Sequence, residues 1–180
     1  MSTREERPAS ALLSFTASNV RSYRDEVHFS LLATRLAGEE IRRSIQTPSS
    51  KTPIEVLPAA GVFGANASGK STLLLALADM RATVATSFRS GSKASGMYRR
   101  PFLLDADARS RPTSFEIELV LSGVHWQYGF EVDDAKVVGE YAYHYPKGRQ
   151  ALVFDRTVSK TSLSVLPFDR LAASSDPFAA

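Results

Sequence analysis

From Ser114 onward, hydrophobic and polar positions alternate. Phe115, Ile117, Leu119 and Leu121 share one face of an extended segment; Trp126, Tyr128, Phe130 and Val132 form a second set, and Tyr141, Tyr143 and Tyr145 a third. Turn-forming pairs separate the runs at Ser122-Gly123, Asp133-Asp134 and Lys147-Gly148. With further strands expected over 151–156 and 162–166, residues 114–166 read as an antiparallel meander. The start of the chain has the same period. Residues 12–20 alternate as a strand, 21–26 are a polar turn, and 27–31 make a second short strand, so a hairpin is expected there. Residues 33–46 carry a mildly helical pattern through Leu36, Ile41 and Ile45, and 47–53 form a Pro/Ser/Thr linker.

Between these regions the pattern changes. An apolar run over 54–63 predicts a buried strand, centred on 59–63. After a glycine-rich break, Leu73, Leu74, Ala76, Leu77 and Met80 fall at helical spacings, with no Gly or Pro until Gly91, which predicts a buried helix over 70–81. The break itself reads Gly64-Ala65-Asn66-Ala67-Ser68-Gly69-Lys70-Ser71, a complete G-x-x-x-x-G-K-[ST] phosphate-binding loop, followed by Thr72. Glycines let the backbone curl so that its N–H groups cradle phosphate oxygens. Lys70 reaches the β and γ oxygens and is the candidate catalytic residue, and the Ser71 hydroxyl is the candidate Mg²⁺ ligand. The first N–H groups of the following helix, with about half a positive charge at that end, complete the site. Strand, loop and helix stand in the order this chemistry requires, and ATP with Mg²⁺ is the expected ligand.

Composition narrows the setting. The chain has 180 residues, 43% hydrophobic and 23% charged, which suits one globular domain. Without cysteine there are no disulfides or thiolate metal sites, and no apolar run approaches the ~18 residues of a membrane span. Residues 1–10 and 169–180 read as unstructured tails around a core unit of 11–168, and a cytoplasmic location with no membrane partner is expected. A net charge of +3 neither requires nor excludes nucleic acid. Arg89, Lys93, Arg99, Arg100, Arg109 and Arg111 make 87–112 a basic loop that could meet nucleic-acid phosphates, against the commoner reading of a solvated surface. His28, His125 and His144 lack ligand spacing and read as strand-surface residues.

Neither the Asp-x-x-Gly nor the Asn-Lys-x-Asp of a regulatory GTPase occurs, and the residues preceding the loop and the meander following it do not suit a small-molecule kinase. The segment 15–29, with Asn19-Val20-Arg21-Ser22-Tyr23 at its turn, resembles the opening strand and turn of the ABC-type ATPase heads of RecF, SMC and OLD-like bacterial AAA family ATPases. The loop segment 57–72, Pro101-Phe102-Leu103-Leu104-Asp105 and Tyr128-Gly129-Phe130-Glu131 are similar to that class's next landmarks, and the likeness runs over about 12–156. It implies an α/β P-loop NTPase fold: the N-terminal lobe of an ABC-ATPase head, with a mixed sheet and an antiparallel meander. It also implies ATP binding between two heads of a homodimer, hydrolysis in the complete head, and work on DNA or in antiviral defence with nucleic acid or an effector nuclease as partner. By the same resemblance Gly64, Ala65, Asn66, Ala67, Ser68, Gly69, Lys70, Ser71 and Thr72 hold phosphate and metal, while Asn19, Arg21 and Ser22 lie near the nucleotide. A solvent-facing turn residue is the alternative for Arg21.

That class also uses a strand ending in Asp-Glu and a signature loop presented by the second head. Asp105 and Asp155 end apolar runs but are followed by Ala106 and Arg156, so turn and strand-end roles are expected for them. Leu121-Ser122-Gly123 imitates a signature, yet period-two residues follow it, which predicts a hairpin turn. An N-terminal lobe truncated after the meander is the expectation. A rival reading is an ATP-binding fragment or nucleotide-gated interaction module that does not hydrolyse.

Overall fold

The computed structural model describes residues 9–34, 41–48, 50–87, 97–146, 148–157 and 164–165. Outside them lie most of the expected tail 1–10, the position of Leu36, Arg89 and Lys93 of the basic loop, and the tail 169–180.

The expected hairpin forms from β1 (Ala11–Ser18) and β2 (Val27–Ser30), paired antiparallel with Phe15 opposite Phe29. The meander forms as β5 (Thr113–Leu121), β6 (Val124–Val132), β7 (Val137–His144), β8 (Ala151–Thr157) and the short β9 (Ser164–Val165). Hairpin and meander join through β1 and β5 into one seven-stranded sheet of order β2-β1-β5-β6-β7-β8-β9, in which every described pairing is antiparallel. The expected mixed sheet is therefore corrected to an antiparallel one.

The alternation gives the sheet two unlike faces. Phe15, Ala17, Phe115, Phe130 and Val132 pack against Leu73, Ala76 and Met80 of α1 (Lys70–Ser87). Phe115 anchors this layer, with its ring centroid 6.5 Å from Phe15 and 5.4 Å from Phe130. The intervening register positions carry Ser14, Thr16, Ser114, Glu116, Glu118 and Glu131. A smaller core of Leu13, Ile45, Val56 and Val120 ties in a two-stranded sheet of β3 (Arg43–Ile45) and β4 (Ile54–Val56).

Three expectations need correction. Residues 43–45 of the expected helix over 33–46 form β3, because Ile45 pairs with Ile54 and is buried beside Leu13. Residues 59–63 are not a strand: no described strand pairs with them, and Val62 and Phe63 are 47% and 93% exposed. A strand exists only as part of a ladder, so an apolar run without a partner stays irregular. Helix α1 is buried along one face rather than all round, with Leu74 71% exposed. Within the basic loop the structure adds a helix, α2 (Ala106–Ser110). No described helix is long and apolar enough to cross a membrane.

Candidate functional site

The loop 64–69 leads into the N-terminus of α1. Ala67 and Gly69 take positive φ values of 64° and 89°, turning successive peptides so that the chain curls on itself. A Cβ at Gly64 would stand 2.7 Å from the Ser68 Oγ, so a larger residue there would push that hydroxyl aside. Lys70 folds back over the loop, and its Nζ donates to the carbonyls of Gly64 at 2.8 Å and Ala65 at 2.5 Å. The first turn of α1 holds no acidic residue, so nothing there offsets the positive end of the helix. Residues 64–68 and Ser71 are exposed. An anion placed over the loop would meet backbone N–H groups, the helix terminus and a preset ammonium. That combination fits a polyphosphate, with Lys70 on its oxygens and Ser71 on its metal.

The turn after β1 braces this loop. It closes through paired bonds between Val20 and Tyr23, N to O at 2.9 and 2.8 Å, with Asn19 and Arg21 at φ 50° and 54°. Its side chains then descend α1 in order. The Tyr23 hydroxyl donates to the Gly69 carbonyl at 2.9 Å, the Ser22 Oγ lies 2.8 Å from the Thr72 Oγ1, and Arg21 makes a two-pronged ion pair with Asp79 at 2.6 and 2.8 Å. Hydrogen bonding to Asp79 pushes the Arg21 guanidinium further up from its already high value. Arg21 is therefore the anchor of the turn on α1, and the solvent-facing alternative is set aside.

Asn19 requires a correction. Expected near the nucleotide, its side chain is buried and serves the segment after α1. Its amide nitrogen donates to the carbonyls of Ala108 and Arg111 at 2.7 Å, with Pro112 at 3.2 Å, and its Oδ1 accepts from the Phe102 N–H at 3.1 Å. What Asn19 supplies to the site is the shape of the turn. Arg99 is likewise committed. It donates to the carbonyls of Arg109 and Arg111 at 2.7 and 2.9 Å and pairs with Asp134, whose carboxyl it holds below the usual range. Arg109 donates to the Leu103 carbonyl. These basic side chains fix the fold of 97–112.

The remaining decoys resolve as local structure. Asp105 caps α2, accepting from the Asp107 N–H at 2.9 Å, and pairs with Arg24. Asp155 sits within β8 opposite Tyr141. Ser122 and Gly123, at φ 52° and 80°, form the tight turn of the β5–β6 hairpin, which suits this pair of positive angles. His28 meets Thr16, His125 stacks on Tyr145 and His144 on Trp126. Among the described residues no group of three His, Cys, Asp or Glu could hold a metal ion. Two contributors escaped the sequence reading. Tyr23 had a signal, a hydroxyl where a plain aromatic ring would fill the space. Asp79 also had one, an acid in helical phase with the buried Ala76 and Thr83, which must find a cation.

Residues 59–174, more than half of the chain, match the model of the family described as "AAA domain, putative AbiEii toxin, Type IV TA system". No curated protein and no solved structure matches the chain.

Proposed function

Because the chain belongs to this AAA domain family, we propose that it binds ATP with Mg²⁺ on the loop 64–71 and serves as the ATP-binding lobe of a RecF/SMC/OLD-like ATPase head. The observation that carries this is the curled loop opening α1 with Lys70 folded over it and Tyr23 and Ser22 bracing it from behind. The site's work is electrostatic. Backbone N–H groups and the helix terminus hold the phosphate chain, Lys70 sets a positive charge where negative charge gathers at the terminal phosphate, and Ser71 offers its hydroxyl to the metal. The Ser71 hydroxyl would hold Mg²⁺, which would supply positive charge against the phosphate oxygens.

Hydrolysis needs further groups, a carboxylate for the metal and one to orient water. In this reading they come from polypeptide packed on the apolar flank beside the loop, where Val62, Phe63 and Leu74 are exposed, and from a second head closing over the site. Work on DNA or in phage defence comes from the resemblance and agrees with a family described through a toxin–antitoxin system. A non-hydrolysing, nucleotide-gated module is the second reading, favoured by the lack of an adjacent acid after Asp105 and Asp155, which are followed by Ala106 and Arg156. Equilibrium titration with ATP and Mg²⁺, followed by phosphate release on the same sample, separates the two. Binding with turnover supports the ATPase, and binding without turnover supports the module.

A further inference from the structure

The face of the seven-stranded sheet turned away from α1 carries charge of one sign. A cavity of about 620 Å³ lies on it, lined by Glu116 and Glu118 of β5, Glu131 of β6, Asp155 of β8 and Glu26 just before β2. Among the described residues no Lys or Arg lines this cavity, although the whole chain has a net charge of +3. Glu140 also borders it but stands opposite Phe130 in the register, where Arg156 at 2.5 Å and the Tyr128 hydroxyl at 2.8 Å engage its carboxylate. Like charges at close quarters repel, so the folded sheet gains nothing by gathering these acids. A cleft of one sign does, however, focus its field and draw in the opposite charge.

An aromatic ring accompanies the carboxylates. One cross-strand row runs Glu116, Gly129, Tyr141 and Asp155 over β5 to β8. Three strand spacings make this about 14 Å. Tyr141 lies across Gly129, where a Cβ would stand 2.5 Å from both the ring Cζ and the hydroxyl oxygen. The bare glycine is what lets the ring settle on the sheet. At its far end the Tyr141 hydroxyl donates to the Glu116 Oε2, which also accepts from the Gln127 Nε2 at 3.0 Å. Two donors therefore hold one carboxylate at the edge of a ring laid down on the sheet. A planar cation with an aromatic face beneath it and carboxylates around it is the setting that suits a guanidinium group.

We infer that this sheet face docks a protein partner through an arginine-bearing segment, with a guanidinium over Tyr141 and the carboxylates of Glu116, Glu118 and Glu131 around it. Other occupants fit less well. Among the described residues no group of three His, Cys, Asp or Glu could hold a metal ion, so the negative charge is spread over a surface rather than gathered at a point. A second copy would have to offer arginines, yet Arg21, Arg99 and Arg109 are engaged within their own chain. Nucleic acid, one negative charge per phosphate, is repelled. Because α1 and the loop that opens it lie on the other side of the sheet, a docked segment leaves the phosphate-binding loop uncovered.

Fluorescence anisotropy at low salt tests this with a labelled peptide of alternating Arg and Ser, its Lys-Ser and Glu-Ser counterparts, and spermine as competitor. The proteins are wild type, Glu131→Gln, the double variant Glu116→Gln with Glu118→Gln, Tyr141→Leu, and Asp107→Asn, which removes a carboxylate in α2 away from this face. Glu131 is exposed, so its variant keeps the fold and stands alone if a melting curve shows another to be unfolded. Expected is saturable binding of the Arg peptide by wild type, about threefold tighter than the Lys peptide, and none of the Glu peptide. Glu131→Gln should weaken it about threefold and the double variant about tenfold, Tyr141→Leu should erase the preference for Arg over Lys, and Asp107→Asn should change nothing. No binding by wild type, unchanged binding in the face variants, or an equal loss in Asp107→Asn overturns the proposal. So does spermine competing as strongly as the unlabelled Arg peptide, which would mark a site for small cations. A wild-type dimer in sedimentation that Glu131→Gln disperses would give the face to a second copy and overturn it as well.

Discussion

Asn19 shows how a single turn residue can organise two segments distant in sequence. Its φ of 50° is one that Asn tolerates better than most residues, and its buried amide faces three carbonyl oxygens. Asn19→Asp keeps the shape but turns a donor into an acceptor against those carbonyls. A loss of about 3 kcal/mol in urea denaturation is expected, and a loss below about 1 kcal/mol would show that the network is dispensable. Tyr23 acts differently. Its ring stands 3.2 Å from where a Gly69 Cβ would be, while its hydroxyl holds the Gly69 carbonyl. Tyr23→Phe should leave the melting temperature near wild type yet weaken ATP binding about threefold by titration, since one hydrogen bond that shapes the loop is lost. The sequence exposed the loop residues because their spacing is a chemical requirement. It singled out Asn19 but hid what that residue holds, and it hid the part played by Tyr23, because partners such as Ala108, Arg111 and Gly69 are brought to them only by the fold.

At the scale of elements, the strands were legible wherever one face is buried. In β1, β5 and β6 the period of two follows directly from an apolar layer under α1 and a polar face on the other side, whereas the β7 tyrosines lie on the polar face, where the Tyr141 hydroxyl meets Glu116. The segment 59–63 was misread because an apolar run reports hydrophobicity, not the presence of a neighbouring strand. Helix α2 was missed because five residues give no period; its visible signal was the Asp105 cap. Helix α1 was read correctly in kind and wrongly in burial, and the Arg21–Asp79 pair explains how its polar position enters the core side. Asp79→Asn removes one charge from that pair and should cost about 2 kcal/mol by thermal or urea unfolding. The strands also carry a pH dependence. Burial lowers the His144 pKa from its ordinary value of 6.5, so the folded state resists protonation that the unfolded chain accepts. Stability is therefore full above 6.5 and falls as the pH drops through that value toward the lowered folded one. His144→Gln should flatten this part of a stability-against-pH curve, and an unchanged slope would place its origin in other groups.

For the whole molecule, an antiparallel sheet carries one long helix whose N-terminus opens at a phosphate-binding loop, and a single turn locks loop, helix and the 97–112 segment together. This architecture agrees with membership in an AAA domain family. It also accounts for where the chemistry gathers, on the flank and rim of α1, where Val62, Phe63, Leu74, Leu103 and Leu104 remain uncovered. The central claim is that the loop 64–71 grips a nucleoside triphosphate through Lys70. Titration of ATP and Mg²⁺ into wild type and Lys70→Ala, with melting curves to show that both are folded, tests it most directly. Saturable binding by wild type, lost in a folded Lys70→Ala, is the expected result. Equal affinity in the two proteins, or no binding by wild type, would contradict it.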